Sequence, residues 1–299
     1  MDGELLGALY HRFCHDPKLA HTRDCTYSDG VILLVYCFAV MCNRSISWAS
    51  NLANWPLWCR AALRRLPSRS QVNKRLKTPS IASWIATIDA ELRQCLPHGN
   101  DQVSDGKPLV VGGFSRDPDA RWGKTPGDGW AKGYKLHTLI NAASAAIDAW
   151  QITPLDGGEA TVLRRDLIPR CDLRNATLRA DANYDSNPTY HALAAAGGRL
   201  IAPRRKPGRG LGHRPHHPDR LRAINELERT PDAQANLRAH QRARNRVEQT
   251  LGHLTNLPCG LWSLPNHVRR LHRVRRWVSA KILLYHLHLT QTLALTAAA

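Results

Sequence analysis

The chain has 299 residues, with 42 lysines and arginines against 24 aspartates and glutamates, for a formal net charge of +18. That length carries a full hydrophobic core and a second, smaller domain, and the charge, densest over residues 199–222 and 269–276, points to a polyanion, nucleic acid above all. A membrane partner is disfavoured, because the longest apolar run, residues 31–42, falls well short of the roughly 20 residues a spanning helix needs. No signal peptide is expected, since Asp2 and Glu4 stand where a basic and then an apolar segment would be required. Eight cysteines include neither a Cys-x-x-Cys pair nor a zinc-spaced cluster and read as reduced thiols of a cytosolic protein, with Cys37 and Cys42 in the core.

Helical spacing of apolar residues predicts helices over 5–13, 31–42, 46–53 and 81–92, and hence an all-helical domain over residues 1–98. Within it, residues 66–76 place Val72 and Leu76 on one face after a Ser68 or Ser70 cap, with Gln71, Asn73, Lys74 and Arg75 facing outward. Such a helix suits a DNA major groove, and an ordinary solvated face fits it equally. Residues 97–104 read as a linker. Strands follow at 108–113, 134–142 and 147–153 as an antiparallel meander, then a helix at 159–168, a strand at 178–181, a helix at 187–196 closed by Gly197 and Gly198, and a strand at 200–202. Together they make an α/β domain over 99–299, a mixed five-stranded sheet flanked by helices. Gly123-Lys124-Thr125 resembles the end of a phosphate loop, but Pro118 occupies the place of that loop's first glycine, so ATP binding is not expected. The basic segment 203–222 reads as a flexible loop, and His213, His216 and His217 within it lack acidic or cysteine partners for a metal.

Three acids stand out. Asp181 ends the strand at 178–181, where sites of sheet domains tend to be built, although an aspartate there also suits a turn or cap. Asp105 precedes the strand at 108–113. Glu248 lies in a helix over 237–254 whose Val247, Leu251 and Leu254 form one stripe, while Gln241, Arg244, Glu248, Gly252 and Thr255 share the adjoining face. An arginine one turn before a glutamate serves either a metal and phosphate site or a surface ion pair. Lys135 and His137 share a strand face nearby. Trp122 and Trp130 are candidates for base stacking or for burial, and Asp185 reads as a helix cap. A final helix over 266–290 turns Leu271, Val274, Val278, Ile282 and Tyr285 inward and Arg269, Arg270, Arg273 and Arg276 outward.

The segments SDGKPL around Asp105, WAKGYKLHTLINA over 130–142, RADANYDS around Asp181 and RARNRVEQTLGHL around Glu248 resemble, in order, those of bacterial insertion-sequence transposases of the DDE class. That resemblance implies an RNase H-like catalytic domain in which Asp105, Asp181 and Glu248 are catalytic and hold two Mg²⁺ ions, with Mn²⁺ as a substitute. It implies cleavage at the ends of a mobile element and joining of the freed 3′-OH to target DNA. The partners would be terminal inverted repeats and target DNA, bound by a homodimer, with Arg244, Lys135, Arg204, Arg205, Lys206 and Arg273 as DNA contacts and the helical domain binding the DNA ends. The family's Tyr-x2-Arg-x3-Glu-x6-Lys signature is half kept, for Gln241 replaces the tyrosine and Thr255 the lysine. A nuclease of the same fold that does not join, or a DNA-binding protein that has lost catalysis, are the alternatives.

Overall fold

A computed structural model describes residues 2–19, 25–127, 129–207, 209–256 and 260–298. Contacts divide the chain into a helical unit, residues 1–96 with 253–299, and a sheet unit, residues 97–252.

The helical unit is built around α2 (Asp29–Met41), which follows α1 (Asp2–Cys14). The apolar run of α2 is buried on every side, as a helix without a polar face must be, and Ser28 caps it by accepting the Val31 N–H. Gly30 lets α1 and α2 meet, because a Cβ there would overlap the Phe13 carbonyl oxygen. Around them lie α3 (Ile46–Ala49), α4 (Leu57–Leu63), α5 (Arg69–Arg75) and α6 (Pro79–Gln94). On α5, Ser68 and Gln71 form a reciprocal capping box.

The sheet unit has six strands, β1 (Asp101–Val110), β2 (Arg121–Lys124), β3 (Trp130–Asn141), β4 (Ile147–Pro154), β5 (Thr177–Arg179) and β6 (Arg199–Ile201). β3 pairs antiparallel with β1 on one side and with β4 and β2 on the other, and β5 and β6 continue parallel beyond β1. The resulting order β4–β3–β1–β5–β6 is that of an RNase H-like sheet. One face is packed by α7 (Glu159–Val162), which continues as an irregular helical turn to Arg170, and by α8 (Asn187–Ala195) and α9 (Pro218–Ile224), around Leu139, Leu163, Leu178, Tyr190, Leu193 and Leu200.

Three expectations are revised here. The sheet has six strands rather than five, the short β2 having been missed. The stretch expected as a linker enters the sheet at Asp101, where buried Ser104 donates to the Thr138 carbonyl and the buried Gln102 amide N–H donates to Asp148 while its Oε1 has no hydrogen-bond partner among the described residues; Asp105 therefore lies within a strand. Finally, the last helix, α11 (Leu271–Ala298), belongs with the helical unit rather than the sheet. It packs against α2 and α6, and His286 meets Asp89 of α6 at 2.7 Å. The helix before it, α10 (Ala233–Thr255), lies in the sheet unit as far as Gly252. Among the described residues no helix is long and apolar enough to cross a membrane.

Candidate active site

Parallel pairing sets Gln102 beside Leu178 and Val103 beside Arg179. Two positions further along each chain are Asp105, in the middle of β1, and Asp181, just past the end of β5, so the register carries both to the point where the β1–β5 pairing stops. Asp181 also holds the turn that follows, its carboxylate accepting from the Asn183 N–H at 2.8 Å and the Asn183 side-chain amide at 3.1 Å. Cap and site residue are therefore compatible readings of one side chain. Asp105 accepts from the Gly106 N–H at 2.7 Å. Its pKa is raised to about 6, chiefly by burial, which the Gly106 hydrogen bond opposes; the like charges of Glu159 and Asp181 add to the rise and Arg244 counters it.

Glu159, which sequence reasoning passed over as the start of a helix, is thus a close electrostatic neighbour of Asp105. Its carboxylate lies 3.0 Å from the Lys135 ammonium, and a Cβ on Gly106 would come within 2.7 Å of its Oε1. Glycine at 106 is what admits this pair beside Asp105. The only trace in the sequence is an acid following Gly157-Gly158 at the end of a strand.

Glu248 is not brought into this cluster. α10 buries His240, Val247, Thr250 and Leu254 and turns Glu248 to solvent, where it makes no hydrogen bond or ion pair with the described residues. Among the described residues no three His, Cys, Asp or Glu side chains are grouped closely enough to hold one metal ion. Arg244, one turn earlier, does reach the site: it is half-buried, it is charge-coupled to Asp105, and its buried Nε has no hydrogen-bond partner. His240 beside it is held neutral, its pKa lowered to about 4 by burial and by Arg179 and Arg244. His137 is likewise lowered to about 4 by burial and Lys135, and its Nε2 meets Thr153 Oγ1 at 2.9 Å.

The other expected cations separate into two groups. Lys135 is paired with Glu159, and Arg204 is clamped by Glu228 at 2.7 and 2.9 Å, so each cation already has a carboxylate partner. Arg205 donates to the carbonyls of Ala182 and Asn183 at 3.2 and 2.9 Å, while Lys206 stays exposed beside it. Arg273 lies in the helical unit, where it lines a cleft of about 450 Å³ with Arg69, Lys77, His272 and Arg276 and with no acidic lining residue. Asp185 is not a helix cap. It is buried and takes both arms of Arg220 at 2.7 and 2.8 Å. The seven described cysteines form no disulfide, and Cys259 lies outside the described residues.

The sheet order is that of an RNase H-like domain, and Asp105 and Asp181 lie where the pairing of its central parallel strands stops. The family model described as the transposase DDE domain matches residues 98–287. The chain belongs to this family of DDE transposases, which act on DNA. Among solved structures it is similar to a piggyBac transposase seen in its cryo-EM synaptic complex with hairpin DNA, with a TM-score of 0.52 and 10% identity over 99% of this chain and 73% of that one. No curated protein matches the sequence.

Proposed function

We propose that the chain is the transposase of an insertion sequence and that Asp105, Asp181 and Glu248 are its catalytic residues. The observation that carries this reading is the nearness of Asp105, within β1, to Asp181, just past the end of β5, with Arg244 in electrostatic reach of Asp105. The donor set fits a hard divalent cation, because carboxylate oxygens suit Mg²⁺ or Mn²⁺ and the like charges around Asp105 favour a positive neighbour. Asp105 and Asp181 would hold the metal, and Glu248, one turn beyond Arg244 on α10, would supply the third carboxylate. Bound there, a pair of Mg²⁺ ions supplies nucleophile activation and charge neutralisation at the phosphate.

The chain's own groups do the rest. The unpartnered Nε of Arg244 donates to a phosphate oxygen, as a guanidinium suits. His240 and His137, lowered to about 4 by burial, are neutral at neutral pH and add no positive charge beside the aspartates. Water attacks the phosphorus at an element end, breaking its P–O3′ bond to leave a 3′-OH on the element and a 5′-phosphate on the flank; that 3′-OH then attacks a target phosphorus, forming the new ester and displacing the target strand's 3′-oxygen. Arg205 and Lys206 follow the substrate backbone near Asp181, and the cationic cleft of the helical unit, with Arg273, takes the DNA end. Two copies acting together bring the two element ends to one target.

The test uses DNA flanking the coding region as labelled substrate, with Mg²⁺. Asp181→Ala should lose cleavage and strand transfer together, because both reactions use one site, and should still bind DNA. Asp172→Asn, at an exposed acid paired only with Arg174, should keep both. An Asp181→Ala protein that cuts at the wild-type rate would place the chemistry elsewhere. Cutting without joining by the wild type would make it a nuclease.

A further inference from the structure

The β2–β3 ribbon carries two tryptophans that the fold leaves uncovered. Trp122 is 52% exposed and Trp130 is 64% exposed, whereas tryptophan is highly buried on average. In the ribbon's register Trp122 lies opposite Lys132, and Lys124 lies opposite Trp130. Cross-strand partners share a face, as do residues two apart along a strand, so the four side chains lie on one face; the Lys132 ammonium donates to the Ser115 carbonyl at 2.7 Å, and Trp122, Trp130 and Lys124 are the members that border an adjoining hollow. Gly123 faces the other way, where a Cβ would come within 2.8 Å of the Leu155 backbone. The ribbon is thereby held down on that side, and the indole side is left outward.

The hollow, of about 500 Å³, is lined also by Glu159, Asn183 and Arg205. Asn183 is the residue that holds the Asp181 carboxylate, and Arg205 is bonded to the turn after Asp181. The hollow, which Lys135 and Asp156 also line, therefore lies beside the turn that follows Asp181. Lys124 makes no hydrogen bond or ion pair with the described residues. Diagonal neighbours on an antiparallel pair lie about 7–8 Å apart, about twice the contact distance of two stacked carbon atoms, which is the space one planar base needs between two rings.

We infer that this face binds an unpaired nucleotide of the DNA strand engaged at Asp105 and Asp181, with its base against Trp122 and Trp130 and its phosphate against Lys124 and Arg205. The inference rests on the reading that the partner is DNA. A paired base within a duplex has both faces covered by its neighbours and cannot use the platform, so the site distinguishes unpaired from paired DNA without reading sequence.

The experiment measures fluorescence anisotropy of the full-length protein with a blunt duplex, the same duplex bearing a short single-stranded extension, and one whose extension lacks bases. Wild type should bind the extended duplex about tenfold more tightly than the blunt one and the abasic one like the blunt. The double variant Trp122→Leu and Trp130→Leu should lose that preference while keeping its affinity for blunt duplex. Trp122→Phe with Trp130→Phe, which keeps aromatic faces, should retain most of it and guards against misfolding of the leucine variant. Equal wild-type affinity for blunt and extended duplexes overturns the platform and leaves DNA binding intact, as does a folded leucine variant that keeps the preference. A wild type that binds none of the three overturns the DNA reading itself.

Discussion

Burial and the neighbouring carboxylates make Asp105 reluctant to ionise, and this has a measurable consequence for stability. Its pKa of about 6 lies above its ordinary value of 3.8, so the metal-free folded chain holds a proton that the unfolded chain releases. The associated stabilisation is fully present below pH 3.8 and is lost as pH rises through about 6. Asp105→Asn cannot titrate. The stability of the metal-free wild type relative to this variant should therefore fall by about 2–3 kcal/mol between pH 4 and pH 7, as read by urea denaturation at each pH, and Mg²⁺ should restore it in the wild type alone. A difference that does not change with pH would show Asp105 to be ionised normally. The histidines His137 and His240, lowered to about 4, contribute in the opposite sense as pH falls from their ordinary value, but they do so in both proteins. Asp181 is legible in the sequence because a strand end announces itself in a short apolar run followed by turn residues, whereas Asp105, expected just before a strand, stands within β1 and is marked only by the resemblance of the segment around it. Glu159 is not legible, since its nearness to Asp105 depends on where β4 ends relative to β1. Counting cations could not reveal that Lys135 and Arg204 already have carboxylate partners.

At the scale of elements, sequence patterns served best where one physical signal dominated. The buried α2 is readable from its unbroken apolar run over 31–42, and the cap of α5 is readable as Ser68 or Ser70, of which the structure uses Ser68 in a capping box with Gln71. β2 was not readable, because Arg-Trp-Gly-Lys has no apolar alternation and becomes a strand only by pairing with β3. The start of β1 was hidden by buried polar residues that mimic a linker. The contact of α1 with α2 gives the prediction at this scale. Gly30→Ala would ordinarily favour a helix by up to about 1 kcal/mol, but here the added methyl meets the Phe13 carbonyl oxygen in the backbone of α1. The variant should be destabilised by about 1–3 kcal/mol in thermal or urea unfolding. Equal or greater stability would mean that the two helices do not pack this closely.

Across the whole molecule, the sheet unit is inserted into the helical unit, whose two parts come from opposite ends of the sequence. Residues 1–96 bury their apolar surface partly against α11, which covers α2 and α6 with Val274, Val278, Ile282, Leu283 and Tyr285. During synthesis the helices made first must wait for the helix made last. A product terminated before Leu271 leaves the flanks of α2 and α6 bare, and a surface of that kind invites aggregation or proteolysis. Chains stopped by a nonsense codon should therefore be recovered in inclusion bodies or as fragments. They would not accumulate as soluble competitors that occupy DNA ends without acting on them. Expression of residues 1–270 beside the full chain, scored by solubility and limited proteolysis, checks this, and a soluble, protease-resistant fragment would refute it. An element encoding such a protein would gain no dominant inhibitor from its own truncated copies, and its decay by mutation would be silent toward intact relatives in the same cell.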